Sequence, residues 1–305
     1  MNRTVLRRML REPSGLLGLV LLVLVLLVAL AGPYIAPNSP TDTLGTVGAP
    51  PGGGFALGTD YLGRDVLSRL LNGGRSVIFI GLTATILAYI IGVIAGLYAG
   101  YRSGIRDTVT MRSVDVILAF PPLLILLLLV GGFRQHVWVL VVGVVIVQTP
   151  GIARITRTAT LSVSKTSYVE AAQTRGDSTR TIWRKDIIPN IQAVLLADFG
   201  IRFAVSIVLI ASMNYLGLGL APPASDWGLM MSENQSIISL NPMAVLGPAI
   251  MLALLTVSIN LIADAYLRAI SGGQDNIVKR LRRAPRTPAG LPLEPAPVPG
   301  EGSLT

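Results

Sequence analysis

"SYVEAAQTRGDSTRTIWRKDIIPN" occupies Ser167–Asn190 and carries seven charged side chains, Glu170, Arg175, Asp177, Arg180, Arg184, Lys185 and Asp186, between long apolar segments. The side of the membrane on which this island lies decides how the whole chain is threaded. Over 305 residues, 51% are hydrophobic and 13% charged, with a mean hydropathy of +0.64; an ordinary soluble domain holds about 25% charged residues. The apolar residues gather into runs such as Gly15–Ala31, "GLLGLVLLVLVLLVALA", and spanning a bilayer takes about 17–25 such residues. An all-α polytopic membrane protein is expected. With no cysteine, disulfides, thiolate catalysis and cysteine-based metal sites are excluded.

Six spans are expected, near 15–32, 77–99, 114–131, 137–153, 191–213 and 245–267. Arg3, Arg7, Arg8 and Arg11 precede the first run as in a secretory signal. That run is longer than an ordinary signal core, and "AGPYIAP" is an imperfect cleavage site, so it is read as a retained span. The chain divides into a cytoplasmic N-terminal segment (1–14), the first span, an external loop (33–76), a five-helix core (77–267) and a cytoplasmic tail (268–305), Pro-rich and expected to be disordered after 286. Lys and Arg number four in 1–14, three in 100–113, seven in 154–190 and six in 268–305, twenty in all. The opposite segments hold four, Arg64, Arg69, Arg75 and Arg134, and Arg202 lies inside the fifth span. Positive residues favour the cytoplasmic side, so both termini and the island are assigned there. The net charge of +9 is thereby explained by topology, and no nucleic-acid partner is expected.

Within the island, Ser167 and Glu170 have the spacing of a capping box, with Ser167 as N-cap. Ala171 and Ala172 extend that helix and Gly176 is placed to end it. Asp177 or Ser178 can cap a second helix carrying Ile182, Trp183 and Ile187, and Pro189 leads into the next span. Elsewhere, Gly92, Gly96 and Gly100 line one face of the second span, as close helix approach requires. Pro121 and Pro122 should bend or interrupt the third.

The pattern E-A-A-x3-G at Glu170–Gly176, with proline thirteen residues later at Pro189, resembles the EAA loop of the inner-membrane permeases of ABC importers. Three further stretches resemble one branch, the second (C-type) permease of dipeptide, oligopeptide and nickel importers. They are "LGTDYLGRDVLSRLLNGGRSV" (57–77), "DVILAFPPLLILL" (115–127) and "NYLGLGLAPPASDWGLMM" (214–231). From its residues alone the first reads as a capped amphipathic helix with Asp60–Arg64 and Asp65–Arg69 pairs. The resemblance implies a six-helix, type I importer permease fold that forms half of a pore. It implies a second permease chain, two cytoplasmic ATPase subunits that bind ATP and magnesium, and an external solute-binding protein. In that reading Tyr168, Glu170, Ala171, Ala172, Gly176, Asp177 and Pro189 form the ATPase-coupling loop. Asp60, Arg64, Asp65, Arg69, Asp226 and Trp227 belong to external segments that meet the binding protein or form part of an outer gate. Asp186 departs from the family pattern, as do Asp198 and Arg202, one helical turn apart in the fifth span where the family is mostly apolar. Charges there face either a partner or a cavity, so the pair is a candidate interface or translocation-path element together with Pro121 and Pro122.

No G-x4-G-K-[ST] phosphate loop and no H-E-x-x-H occur, and the one histidine, His136, lies in a short turn. No catalytic residue, metal site or cofactor is therefore expected in this chain. An ion-coupled secondary transporter and a membrane scaffold are the rival classes. Short peptides are the expected solute, with nickel complexes and haem-like ligands as alternatives.

Overall fold

The structure is a computed structural model that describes residues 7–10, 12–102, 104–133 and 136–283, with side chains through 270. The tail after Arg286 lies outside the described residues. Among the described residues the helices numbered here are, in order, α1 (Pro13–Ile35), α2 (Val66–Tyr101), α3 (Ile105–Leu118), α4 (Pro122–Gly132), α5 (Val137–Ser164), α6 (Ser167–Thr174), α7 (Thr179–Tyr215), α8 (Trp227–Glu233) and α9 (Met243–Arg283). Five of them, α1, α2, α5, α7 and α9, are long and apolar enough to cross a membrane, and α3 with α4 forms a sixth, broken unit.

The third span is interrupted at Pro121 and Pro122, as expected, and its first half starts earlier, at Ile105. α3 and α4 meet at 80°. Neither Pro121 nor Pro122 can donate a backbone bond, and each disfavours helical geometry in the residue before it. Pro121 is accordingly extended, at φ −58° and ψ 131°. With 11 residues, α4 is about 16 Å long, half the hydrocarbon thickness. Asp107 and Asp115 of α3 are ion-paired to Arg157 and Arg154 of α5, which fastens α3 beside the cytoplasmic end of α5 expected from the charge count.

Two other boundaries shift. The fourth span does not close at Thr149–Gly151; α5 runs through a buried Pro150 to Ser164, so residues 154–164 are helix rather than loop. Residues 57–65 form turns, and the helix expected over 57–77 begins at Val66 as the first turns of α2. Asp65 is its N-cap, accepting from the Leu67 and Ser68 amides. α2 has 36 residues, about 54 Å of helix, and its first turns belong to an extramembrane cap.

The core is built on α2 packed along α5. A Cβ added at Gly92 would lie 2.8 Å from Ile152 Cβ, at Gly96 2.5 Å from Thr156 Cβ, and at Gly100 2.7 Å from the Arg157 carbonyl oxygen. The three glycines therefore set the distance between the two rods. Val77, Ala84, Ala88, Val144 and Ile152 are wholly buried around the seam, and α7 and α9 close the core with Ile207, Ile210 and Leu255.

Gly96→Val is expected to force the seam apart at a cost of about 1–3 kcal/mol. Gly131→Ala should be silent in the isolated chain, because nothing lies within 4 Å of the added methyl. Thermal unfolding of the purified chain in detergent separates the two.

Candidate functional site

Thr166, not Ser167, occupies the N-cap of α6, with extended φ and ψ of −85° and 147°. Its hydroxyl donates to the Val163 carbonyl at 2.6 Å, so the expected capping box does not form. The carboxylate of Glu170 has no partner among the described residues and is exposed. α6 ends at Arg175, and Gly176 takes φ +78° in the turn that follows, where an L side chain is strained. Ser178 then caps α7, its hydroxyl oxygen accepting the Thr181 amide.

The second half of the elbow is not a separate helix. Residues Trp183–Ile187 form one π-helical turn inside a continuous rod. Pro189 offers no N–H, and the Ile188 amide reaches back to the Trp183 carbonyl. The Asn190 side chain donates to the Asp186 carbonyl at 2.6 Å, one turn back on the same rod. Both arms bury one face: Val169, Ala172, Ile182 and Ile187 cluster with Leu97 of α2 and Ile191 of α7. Tyr101, the last residue of α2, takes a hydrogen bond from Gln173 at 3.2 Å and stacks edge-on to Trp183 at 6.4 Å. Tyr168, Glu170, Ala171, Arg175 and Gly176 are left exposed, with Ala172 beneath them and Asp177 half-covered and paired to Arg175 at 3.0 Å. The elbow is a firmly seated projection with a polar outer surface.

Midway along α7, Asp198 and Arg202 pair as expected from their spacing, Nε lying 3.3 Å from each carboxylate oxygen. Tyr89 of α2 donates to the same carboxylate at 2.5 Å. Gln148 of α5 donates to the Arg202 carbonyl at 2.8 Å and to Ser206 Oγ at 3.2 Å. The pair is thus held between α2, α5 and α7, apart from Pro121 and Pro122.

At the opposite end from the elbow, Asp60, Arg64, Arg69 and Glu233 form a closed charge cluster. Arg64 Nε and Arg69 Nη1 each lie 2.6 Å from Asp60 Oδ2, and both arginines reach Glu233 Oε2, at 3.3 and 2.7 Å. The expected Asp60–Arg64 pair forms, but in a turn rather than a helix. The expected Asp65–Arg69 pair is replaced, since Asp65 is occupied by its capping bonds, Ser68 Oγ and Asn38. Nearby, Asp226 caps α8 and accepts from Ser76 at 2.5 Å and Asn214 at 2.8 Å. Burial pushes the Asp226 carboxyl above its usual range, opposed by these donors. Burial and the adjacent Glu233 likewise raise the Tyr61 phenol, which donates to Glu233 at 3.1 Å. Trp227 fills a notch over Gly73 and Gly74, its indole nitrogen donating to the Leu70 carbonyl at 2.9 Å.

Residues 92–274 match the family described as the binding-protein-dependent transport system inner membrane component, and residues 2–51 match the N-terminal transmembrane domain of oligopeptide transport permease C. The chain belongs to this permease family. A di/tripeptide transport system permease of Pseudomonas aeruginosa is 32% identical over 83% of this chain and 86% of its own. A glutathione transport system permease of Pectobacterium atrosepticum is 31% identical over 87% and 88%. A solved methionine ABC transporter, MetNI, in an inward-facing form superposes with a TM-score of 0.55 at 19% identity, over 66% of this chain and 96% of that one. That likeness is one of fold, the fold of ABC importer permeases.

For the permease, burial revises one expectation. Asp60, Arg64, Asp65, Arg69, Asp226 and Trp227 are each no more than 2% exposed, so they brace the extramembrane cap at the end opposite the elbow and present no contact surface of their own. Glu233, Tyr89, Gln148 and Asn214 complete the two clusters and were not singled out by spacing. Glu233 alone left a signal: with Asp226 it is one of two acids in 214–244, opposite a segment carrying three arginines.

Asp60→Asn leaves two buried guanidinium groups with one full carboxylate. It is expected to destabilise the permease by about 3–5 kcal/mol. Arg154→Ala breaks a pair whose side chains are 55% and 52% exposed and should cost within about 1 kcal/mol. Thermal unfolding in detergent checks both.

Proposed function

We propose that this permease forms half of the translocation pore of an ABC importer for short peptides, and that the elbow at Ser167–Asn190 couples it to a cytoplasmic ATPase. The observation that carries the proposal is the elbow itself. Its apolar face is locked onto α2 and α7 while Tyr168, Glu170, Ala171 and Arg175 project outward, exposed among the described residues. A rigid, exposed, polar projection suits a groove in a moving partner. The excess of twenty cationic residues over four supports a cytoplasmic elbow and cytoplasmic chain ends, the side where ATP is found. The remaining subunits are a second permease chain, two ATP- and magnesium-binding ATPase subunits, and an external solute-binding protein. The relatives named for di/tripeptides and for glutathione, itself a tripeptide, support small peptides as the solute.

In this mechanism the chain performs no bond chemistry. Closure of the ATPase dimer displaces the elbow, and α7 carries the displacement into the membrane. The drive is the difference in stability that nucleotide binding creates between inward- and outward-open arrangements.

Gly176→Val meets no neighbour within 4 Å, so its defect is confined to strain at positive φ, about 1–2 kcal/mol. With Glu170→Ala it is expected to leave assembly intact and to uncouple hydrolysis from uptake. In reconstituted vesicles this reads as ATP consumption with labelled di- or tripeptide uptake reduced severalfold. Normal uptake in both variants, or full peptide uptake by the lone chain, would refute the coupling role.

A further inference from the structure

α1 crosses the bundle and rests on it at two seams. Near its start it meets α9, where a Cβ added at Gly15 would lie 3.0 Å from Ala265 Cβ and one at Gly18 2.9 Å from Leu261 Cβ. Near its end it meets α2, where a Cβ at Gly32 would run into the Leu71 carbonyl and one at Gly74 would lie 2.6 Å from Ala29 Cβ. Small residues let the helices touch at both places. Beneath the stretch between them, α2 and α9 touch each other far less than either touches α1. The gap is a cavity of about 490 Å³. Leu22 and Leu26 of α1 lie over it, with Leu82 of α2, Phe199 and Phe203 of α7 and Ile262 of α9 among its walls. Along α9 it runs from Leu255 to Tyr266, about 16 Å.

The helices α1, α2, α7 and α9 around this cavity are all long and apolar enough to cross a membrane, and no lining side chain is charged. Water has little to hold it there, since a buried water needs about two to four polar partners. The space is also too slim for a partner's helix: 16 Å of helix about 10 Å across fills about 1,200 Å³. At the elbow end the lining finishes at Met9 and Tyr266. The Tyr266 hydroxyl has no partner among the described residues. Arg7 and Arg8, which directly precede Met9, are exposed and form no ion pair among the described residues, whereas Arg268 is taken up by Glu12 and Ser14.

We propose that this cavity takes one acyl chain of an anionic phospholipid, whose headgroup is held at the elbow end by Arg7, Arg8 and Tyr266. A hydrocarbon chain supplies the walls with the dispersion contacts that an empty space denies them. A negative headgroup meets cations that this chain leaves unpaired, at the membrane surface where such clusters attract anionic lipid. Tyr266 adds a donor at the boundary between apolar and wet surroundings, the position its ring favours. The bound chain fills the space under Leu22 and Leu26, so lipid as well as the two glycine seams holds α1 to the core. The proposal concerns the membrane and stands independently of the solute.

The test uses the full chain, purified in detergent, stripped of lipid, and titrated with phosphatidylglycerol or with phosphatidylcholine of the same acyl chains. Native mass spectrometry counts the bound lipids, and thermal unfolding follows their effect. One saturable phosphatidylglycerol is expected, bound about tenfold more tightly than phosphatidylcholine, the scale of a headgroup charge near two cations. It should also raise the unfolding temperature. Arg7→Gln together with Arg8→Gln should bring the two lipids to equal affinity. Leu26→Trp, which fills the cavity, should abolish the tight site and its thermal effect. Equal wild-type affinities, or a preference that survives loss of both arginines, overturns the proposal, as does tight binding unchanged in Leu26→Trp. Should Leu26→Trp fail to fold, phosphatidylglycerol with a diazirine midway along its acyl chain decides on the wild-type chain. Label on Leu26, Phe199 or Ile262 supports the site; label confined to exposed residues such as Leu27 and Leu30 overturns it.

Discussion

The close approach of α2 and α5 over Gly92, Gly96 and Gly100 is the contact on which the other features depend. Lipid tails are as apolar as leucine, so association inside a bilayer is driven by fit rather than by the hydrophobic effect. Glycine at every fourth position supplies that fit by letting Ile152, Thr156 and Thr160 settle against bare backbone. The seam also fixes what lies at its ends and along its side. Leu97 and Tyr101, just beyond Gly96 and Gly100, are the floor on which the elbow rests. Tyr89 on one rod and Gly151 on the other hold the Asp198–Arg202 pair. A shift between α2 and α5 would disturb all of these at once.

Charge is distributed by the same logic of satisfaction. The cap opposite the elbow carries Arg64, Arg69 and Arg75, and each is consumed internally. The first two share Asp60 and Glu233, and Arg75 lies over the Tyr34 ring at 5.1 Å and donates to the Leu30 carbonyl. On the elbow, Arg180, Arg184 and Lys185 stand exposed. One set of cations welds a cap and the other stays available, which matches a molecule braced at one end and handled at the other.

The sequence was informative where a signal is local or periodic. Hydropathy gave the spans, the glycine repeat gave the seam, and positive φ at Gly176 is what a glycine after a short helix suggests. It was less so where neighbours decide. Pro150 and Pro121 are both prolines in apolar helical pattern, yet α5 continues through one while the chain turns 80° after α3 at the other. The difference is context: Pro150 stands alone and is buried, whereas Pro121–Pro122 removes two consecutive donors. Ser167 and Glu170 had the spacing of a capping box, but α5 extends to Ser164 and leaves Thr166 in the extended conformation a cap requires. Long-range partners such as Glu233 for Arg69, 164 residues apart, follow from the fold and leave no mark in spacing.

Continuity of α7 joins these parts into one mechanical element. The rod is capped by Ser178 beside the elbow glycine, carries Asp198 and Arg202 midway along its length, and ends near Asn214, which binds Asp226 of the cap at the opposite end. A helix with an intact hydrogen-bond ladder resists compression, so displacement at Gly176 reaches Arg202 directly unless something along the rod yields. The π turn at Trp183–Ile187 is the place where the ladder is altered. It lies where Ile182 and Ile187 are wedged against α2, on the elbow side of the apolar segment. The altered ladder is confined to the first turns, and from Ile191 onward the rod is regular helix between the seam helices and the cap.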